Sequence, residues 1–235
     1  MNITLPDGSI RELETGSTGF DLASSIGPGL AKAALAVTVN GVQKDLNDPI
    51  NEDSKVSIIT IDSDDGLEIM RHTLTAQVLA RAVRNLFPGT KLAIGPTITD
   101  GFYYDFEFTK PISPEDLGSI EKEMKKIISS NSSITKKLNT KQEAIEIFKL
   151  EGESYKESII NDSEQEDNFQ LYYQDDSKFV DLCRGPHIPN FKHIGAFKLL
   201  KIAGAYWKGD SNNKMLTRIY GTAWKNEKDL SAYLE

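Results

Sequence analysis

Along the first 60 residues, short apolar stretches alternate with polar positions, and the spacing lengthens to a helical period only once. MNITLPDGSIRELE reads as two short strands about a Pro6-Asp7-Gly8 turn. GFDLASSIGPGLAKAAL reads as helical, interrupted at Gly27-Pro28-Gly29. AVTVNGVQKDLNDPI predicts a hairpin with Asn40-Gly41 at its tip, a pair that tolerates the positive φ angles of a tight two-residue turn. KVSIIT predicts a final apolar strand, and DSDDG, 62–66, a linker. From Leu67 to Phe87, Met70, Leu74, Val78 and Ala82 form one stripe and Leu79, Val83 and Leu86 another, so a long helix is predicted, ended by Pro88-Gly89. DGFYYDFEF alternates as a strand. Ser113-Pro114-Glu115-Asp116 starts a helix that lines up Leu117, Ile120, Met124, Ile127 and Ile128. Thr140 and Glu143 make a capping box before AIEIFKL. Strands dominate afterwards (FQLYYQ, KFVDL, AFKLLKIAGAYW, KMLTRIYG), and from Asn226 the pattern is helical again, reading as a helix cut short. The fold class predicted is α+β: a small mixed sheet wrapped on one helix, then a larger α+β unit.

Charge alters this picture locally. The net charge of −8 argues against a generic nucleic-acid binder, yet residues 1–62 carry 4 basic and 9 acidic side chains and residues 183–235 carry 9 basic and 4 acidic. The basic C-terminal stretch is suited to a phosphate backbone, or is simply a solvated face. No apolar run approaches a membrane span, and no basic leader precedes an apolar segment. A single cysteine excludes an internal disulfide and suits a reducing, cytoplasmic setting.

That cysteine lies in DLCRGPH, residues 181–187, four positions before one of only three histidines, His72, His187 and His193. A buried thiol beside a coincidental histidine is one reading; a site that handles a proton or a metal is the other. On a regular helix His72 shares a stripe with Ala76, Leu79, Val83 and Leu86 and faces the core, where a lone histidine is usually just a satisfied core residue. His72, Cys183 and His187 are weak metal candidates, since a structural zinc site wants four ligands and Gln77 is a poor fourth.

RHTLTAQVLARAVRNLFPGTKLAIGPTITDGFYYDF, GESYK, VDLCRGPH and AGAYWKGDSNNKMLTRIYGTAW together resemble the N-terminal half of bacterial threonyl-tRNA synthetases, and ITLPDGS with SSIGPGLAKAALAVTVNG resembles their TGS domain. The resemblance covers essentially the whole chain. It implies a small β-grasp (ubiquitin-like) TGS domain over 1–62 and an α+β editing domain over 63–225, with a long helix packed on an antiparallel sheet. Residues 226–235 would begin a linker helix to an absent catalytic domain. It also implies hydrolytic proofreading, removal of serine from mischarged tRNA(Thr). The chemical need is general: a smaller substrate is rejected by only about 1–3 kcal/mol through lost contacts, so a second, tighter site must hydrolyse the mistake.

The editing pocket of that family is marked by His-x3-His on a helix and Cys-x3-His on a loop. Cys183 and His187 match the second pair, with Asp181 and Lys156 at the acidic and lysine positions and Tyr104 at an aromatic wall. The first pair departs: four residues separate His72 from Gln77, which stands where the second histidine belongs. Positions four apart on an α-helix lie about 40° from each other, whereas positions five apart diverge by about 140°. A π-bulge that absorbs the extra residue is predicted, keeping His72 in the pocket. The roles implied are His72 or His187 for the water, Lys156 for the oxyanion or the ribose, Asp181 for the amine of serine and Cys183 as a size gate. Thr73, Gln77, Tyr104 and Arg184 are expected to bind substrate, and Lys198, Lys201, Lys208, Lys214 and Arg218 the tRNA. No cofactor is expected here, ATP/Mg and Zn belonging to the absent catalytic domain; the partners are the acceptor end of tRNA(Thr) carrying serine and the remainder of the synthetase, with no membrane. A tRNA-binding or regulatory module whose editing has decayed, and a free-standing trans-editing factor, remain the alternatives.

Overall fold

A computed structural model describes residues 1–235. The N-terminal part runs β1 (Asn2–Thr4), β2 (Ile10–Glu12), α1 (Gly19–Ile26), α2 (Pro28–Ala33), β3 (Ala36–Val39), β4 (Val42–Asp45) and β5 (Ser54–Ile59). Its sheet has the order β2-β1-β5-β3-β4, with β1 and β5 parallel and the other pairs antiparallel. The β3–β4 turn is closed by Asn40 and Gly41, both at positive φ, as the hairpin reading requires. Thr18 and Asp21 exchange capping bonds at the start of α1, satisfying amides that the helix itself leaves open. Ile3, Leu22, Val37, Ile50 and Val56 form the local core.

The anticipated linker is absent as such. Ser63 caps α3 (Asp64–Thr73) through the Gly66 amide, and Asp64 and Asp65 suit the positive end of a helix, so an acidic stretch that reads as linker is the helix start. The backbone then widens to a π-helix over Leu74–Leu79 and returns to α4 (Ala80–Leu86) without a break. There follow β6 (Lys91–Leu92), β7 (Thr97–Ile98), β8 (Gly101–Glu107), α5 (Asp116–Ser129), β9 (Ile134–Asn139), α6 (Lys141–Leu150) and α7 (Ser154–Asp162). The chain closes with β10 (Phe169–Gln174), β11 (Val180–Leu182), β12 (Ala196–Tyr206), β13 (Met215–Trp224) and α8 (Glu227–Leu234). Two antiparallel sheets result, β12-β13-β8-β6 with β7 paired to β8, and the smaller β11-β10-β9. Met70, Leu74, Val78, Val83 and Ile120 pack with Phe102, Phe106, Phe197 and Ile219 in one core, which also takes in Leu35, Ala36 and Ile59 from the N-terminal sheet. The two parts therefore share apolar contacts. No helix is long and apolar enough to cross a membrane.

One helix is missing from the sequence reading. α7 begins after Gly152, whose φ is positive, and its N-cap residue Glu153 makes no side-chain capping bond, so no start signal precedes it. It is the element that carries Lys156.

Candidate active site

The helix α3, the strand β11 and the loop after it converge on a cleft of about 850 Å³. At one end, Nε2 of His72 lies 3.1 Å from Sγ of Cys183, and the rings of His72 and His187 stack at 4.6 Å. The ligand-capable atoms of His72, Cys183 and His187 all lie within 4.8 Å of one another, near enough to hold one metal ion. His72 reaches this cluster because the six π-helical residues after it absorb the extra position. Its neighbour along the cleft wall is Ala76, four residues on. His193, in the short 3-10 turn Phe191–His193, stands outside the cluster.

Hydrogen bonding fixes the protons. Oγ1 of Thr73 donates to the Ile69 carbonyl (3.0 Å) and accepts from the Ile188 amide (3.1 Å). Having spent its one proton, it can only accept from Nδ1 of His187 at 2.9 Å. His187 is thus the Nδ1–H tautomer, and its Nε2 is a bare lone pair enclosed behind the cleft wall, with no partner. Burial holds His187 well below the usual histidine range, helped by nearby His72, and burial also lowers His72, opposed by the Pro186 carbonyl and Asp181. Both imidazoles are neutral at pH 7. Burial pushes the Cys183 thiol up to about 12 even though its sulfur accepts from the Gly185 amide, so it is a thiol and not a thiolate nucleophile.

Lys156 and Asp181 form a buried ion pair beside this cluster, Nζ to Oδ1 at 2.9 Å. The Leu182 amide donates to the same Oδ1. Burial opposes the ammonium form of Lys156, but the Asp181 carboxylate more than offsets it and leaves its pKa above the ordinary value. Burial raises Asp181, with Lys156 working against the rise. Ile94, Gly95, Asn168, Gln170, Arg184 and Lys208 complete the longer walls.

Three residues expected to touch substrate lie behind the wall instead. Gln77 is fully buried and faces away from the cleft: Arg81 donates to Oε1 of Gln174, and Nε2 of Gln174 in turn donates to Oε1 of Gln77 at 3.0 Å and to its carbonyl at 2.8 Å. That chain takes up the oxygen of its carboxamide, while its Nε2 is buried without a partner away from the cleft. Thr73 is buried and holds His187, as above. Tyr104 is buried with its ring 5.5 Å from Lys156 Nζ, stacked on Phe106; a side chain at Gly95 would strike that ring, so the glycine lets the wall close over it. Of the four, Arg184 alone lines the cleft.

The basic strands divide similarly. Arg218 is committed to Asp105 by paired bonds of 2.8 and 3.0 Å and lies flat on Tyr103, which makes it a structural cation and removes it from the exposed set. Lys198 approaches Glu121 and Lys214 approaches Glu107. Lys208, bonded to Asp162, lines the cleft, and Lys201, over the Tyr220 ring, remains exposed on β12. Sequence reasoning did not single out Asp45 in β4, which reaches the loop of His187; nothing in its local pattern marks it.

A profile of the TGS domain matches residues 1–60, and a profile of the threonyl and alanyl tRNA synthetase second additional domain matches residues 170–220. The chain is 51% identical over 232 residues to the threonine–tRNA ligase of Hahella chejuensis, taking in 99% of this chain and 36% of that protein. It is 49% identical over 234 residues to that of Acidithiobacillus ferrooxidans and 50% identical over 234 residues to that of Francisella tularensis, again over 36% of each. The chain spans about a third of the length of the curated relatives it matches.

Proposed function

From the premise that this chain is a homologue of the threonine–tRNA ligases, with the TGS and second additional domains of that family, we propose that it is an editing hydrolase for seryl-tRNA(Thr). Residues 1–62 are read as the TGS domain, 63–225 as the editing domain and 226–235 as the start of a connecting helix. The sheet order β2-β1-β5-β3-β4 around α1 supports a β-grasp for the first.

The observation that carries the hydrolytic reading is the His72–Cys183 pair in the cleft wall, with the imidazole of His187 stacked on His72 directly behind it. The seryl ester of the tRNA's terminal ribose enters the cleft, and a water attacks its carbonyl while the stacked imidazoles, His72 at the wall and His187 behind it, take up the water's proton. The Lys156 ammonium stabilises the oxyanion. Collapse breaks the ester C–O bond, the proton passes to the ribose oxygen, and serine and tRNA are released. The contacts of Asp181 just described use Oδ1, leaving Oδ2 for the α-ammonium of serine. The Cys183 sulfur occupies space that the extra methyl of threonine would need, which sets the sieve.

A metal is not required by this scheme: the thiol and His72 bond to each other, and the stacked imidazoles serve as the base. The test is deacylation of seryl-tRNA(Thr) by this chain, with threonyl-tRNA(Thr) spared and the rate unchanged after chelation. Threonyl-tRNA(Thr) should become a substrate in Cys183→Ala. Equal stability of both esters in the presence and absence of the protein would refute the reading.

A second reading, a tRNA-binding module with decayed editing, is favoured by one observation: Gln77, which the resemblance puts in the second histidine's place, is buried behind the wall, and Ala76 lines the cleft with no imidazole to offer. Binding of tRNA(Thr) with no deacylation would select it. Ligation of threonine to tRNA with ATP is proposed only for a longer protein containing this chain, since the relatives are much longer.

A further inference from the structure

We infer that Asp45 is a positioning residue for the His187 imidazole, which makes the N-terminal sheet a working part of the hydrolytic site. The inference rests on the editing reading above.

Asp45 is the last residue of β4, 142 positions before His187 in the chain. Its Oδ1 accepts from the backbone N–H of His187 at 2.8 Å, and its Oδ2 accepts from the Tyr172 hydroxyl at 2.6 Å. The Tyr172 ring meets the His187 ring edge-on at 4.5 Å and 90°. The same hydroxyl fills the space a side chain at Gly185 would take, and Gly185, at positive φ, shapes the loop between Cys183 and His187. One carboxylate therefore holds both the backbone of the imidazole-bearing residue and the aromatic ring that sets its plane. Lys136 lies 3.4 Å from Asp45 and is itself anchored to Asp48 at 2.7 Å, so the carboxylate's charge is balanced where it is buried.

The remaining faces of the imidazole are taken by Thr73 at Nδ1 and His72 across the ring. Nothing in the loop itself substitutes for the two bonds to Asp45. Charge-assisted hydrogen bonds of this length are the stronger kind; removing the acceptor leaves the His187 amide unpaired and the Tyr172 hydroxyl with only its longer bond, 3.3 Å, to Oε1 of Gln170. A general base displaced by about 1 Å loses on the order of 10²-fold in rate. That loss is the signature sought.

The experiment compares this chain with Asp45→Ala, Asp45→Asn and Tyr172→Phe, measuring seryl-tRNA(Thr) deacylation and backbone hydrogen exchange at His187. In Asp45→Ala, kcat should fall about 10- to 100-fold with KM nearly unchanged, and the His187 amide should exchange at least about tenfold faster. Asp45→Asn keeps an acceptor for the amide and a partner for the phenol, and should recover kcat to within about threefold of the parent. Wild-type exchange and kcat in Asp45→Ala would overturn the inference, as would accelerated exchange throughout the chain in all three variants. If Asp45→Ala does not fold, Tyr172→Phe decides: faster exchange at His187 with a lower kcat supports the role, and parental values of both overturn it. If the parent chain hydrolyses nothing, the editing reading fails on its own, and the His187 exchange alone decides whether Asp45 holds that loop.

Discussion

Ala76 lies beside His72 in the wall of the cleft, while Gln77, one residue further on, faces the opposite way and bonds to Gln174. The π-helix over Leu74–Leu79 produces this division, because the wider turn brings the fourth residue after His72 to the wall and sends the fifth behind it. Ala76→His should therefore add an imidazole to the cleft and raise the rate of seryl-ester hydrolysis. Gln77→His should not, and should cost about 1–3 kcal/mol by removing the side-chain acceptor of the buried Gln174 amide, which keeps only its bond to the backbone carbonyl at 77. Single-turnover deacylation and urea denaturation of the two variants separate these effects.

Thr73 sets the tautomer of His187. Thr73→Val removes the acceptor for Nδ1–H, so the ring can flip or exchange its proton, and kcat should drop by about 10- to 100-fold while the fold survives. Thr73→Ser keeps the oxygen and should restore most of the rate. Nitrogen-15 shifts of the His187 ring, showing protonated Nδ1 and bare Nε2 in the parent, check the assignment directly.

Stability should fall on acidification in a way that His187 partly explains. The folded chain holds this imidazole neutral by burial, whereas an unfolded histidine takes up a proton as pH drops through about 6.5. A folded pKa below the unfolded value contributes stability that is fully present above about 6.5 and lost below it. His72 on α3, with Cys183 and Asp181 in the adjoining loop and strand, titrates in the same surroundings, so the effect is isolated by difference. Between pH 7.5 and 5.5 the parent should lose about 1.4 kcal/mol more than His187→Gln in urea titrations. Equal losses would show that His187 takes up its proton alike in the folded and unfolded states.

Among the cations, exposure separates binding from folding. Lys201→Glu should weaken tRNA(Thr) binding and lower the salt slope by about one, leaving thermal stability intact. Arg218→Ala breaks the paired bonds to the nearly buried Asp105 and should cost about 1–3 kcal/mol of stability. Filter binding at several salt concentrations and thermal denaturation distinguish the two outcomes.

Local signals carried a good part of this molecule. Asn40-Gly41 closes a hairpin, Thr140 and Glu143 cap α6, and the strand patterns around DGFYYDFEF and KMLTRIYG appear where alternation puts them. The one-residue mismatch between His72 and Gln77 was itself a legible sign of the π-helix, since an unbroken helix would have turned His72 from the loop. α7 was not legible, because Glu153 makes no capping bond and the helix is held by packing against α6 and β6.

What the sequence determined by itself was whatever depends on neighbours within a few positions: turns, caps, helical and strand periods, and the pairing of Cys183 with His187 across one short loop. The tertiary structure alone decided that Gln77 and Tyr104 stand behind the cleft, that Arg218 belongs to Asp105, and that Asp45 grips a residue 142 positions away. Those outcomes turn on which buried donor meets which acceptor once the sheets are packed. That competition is settled in space, between groups whose separation along the chain carries no trace of it.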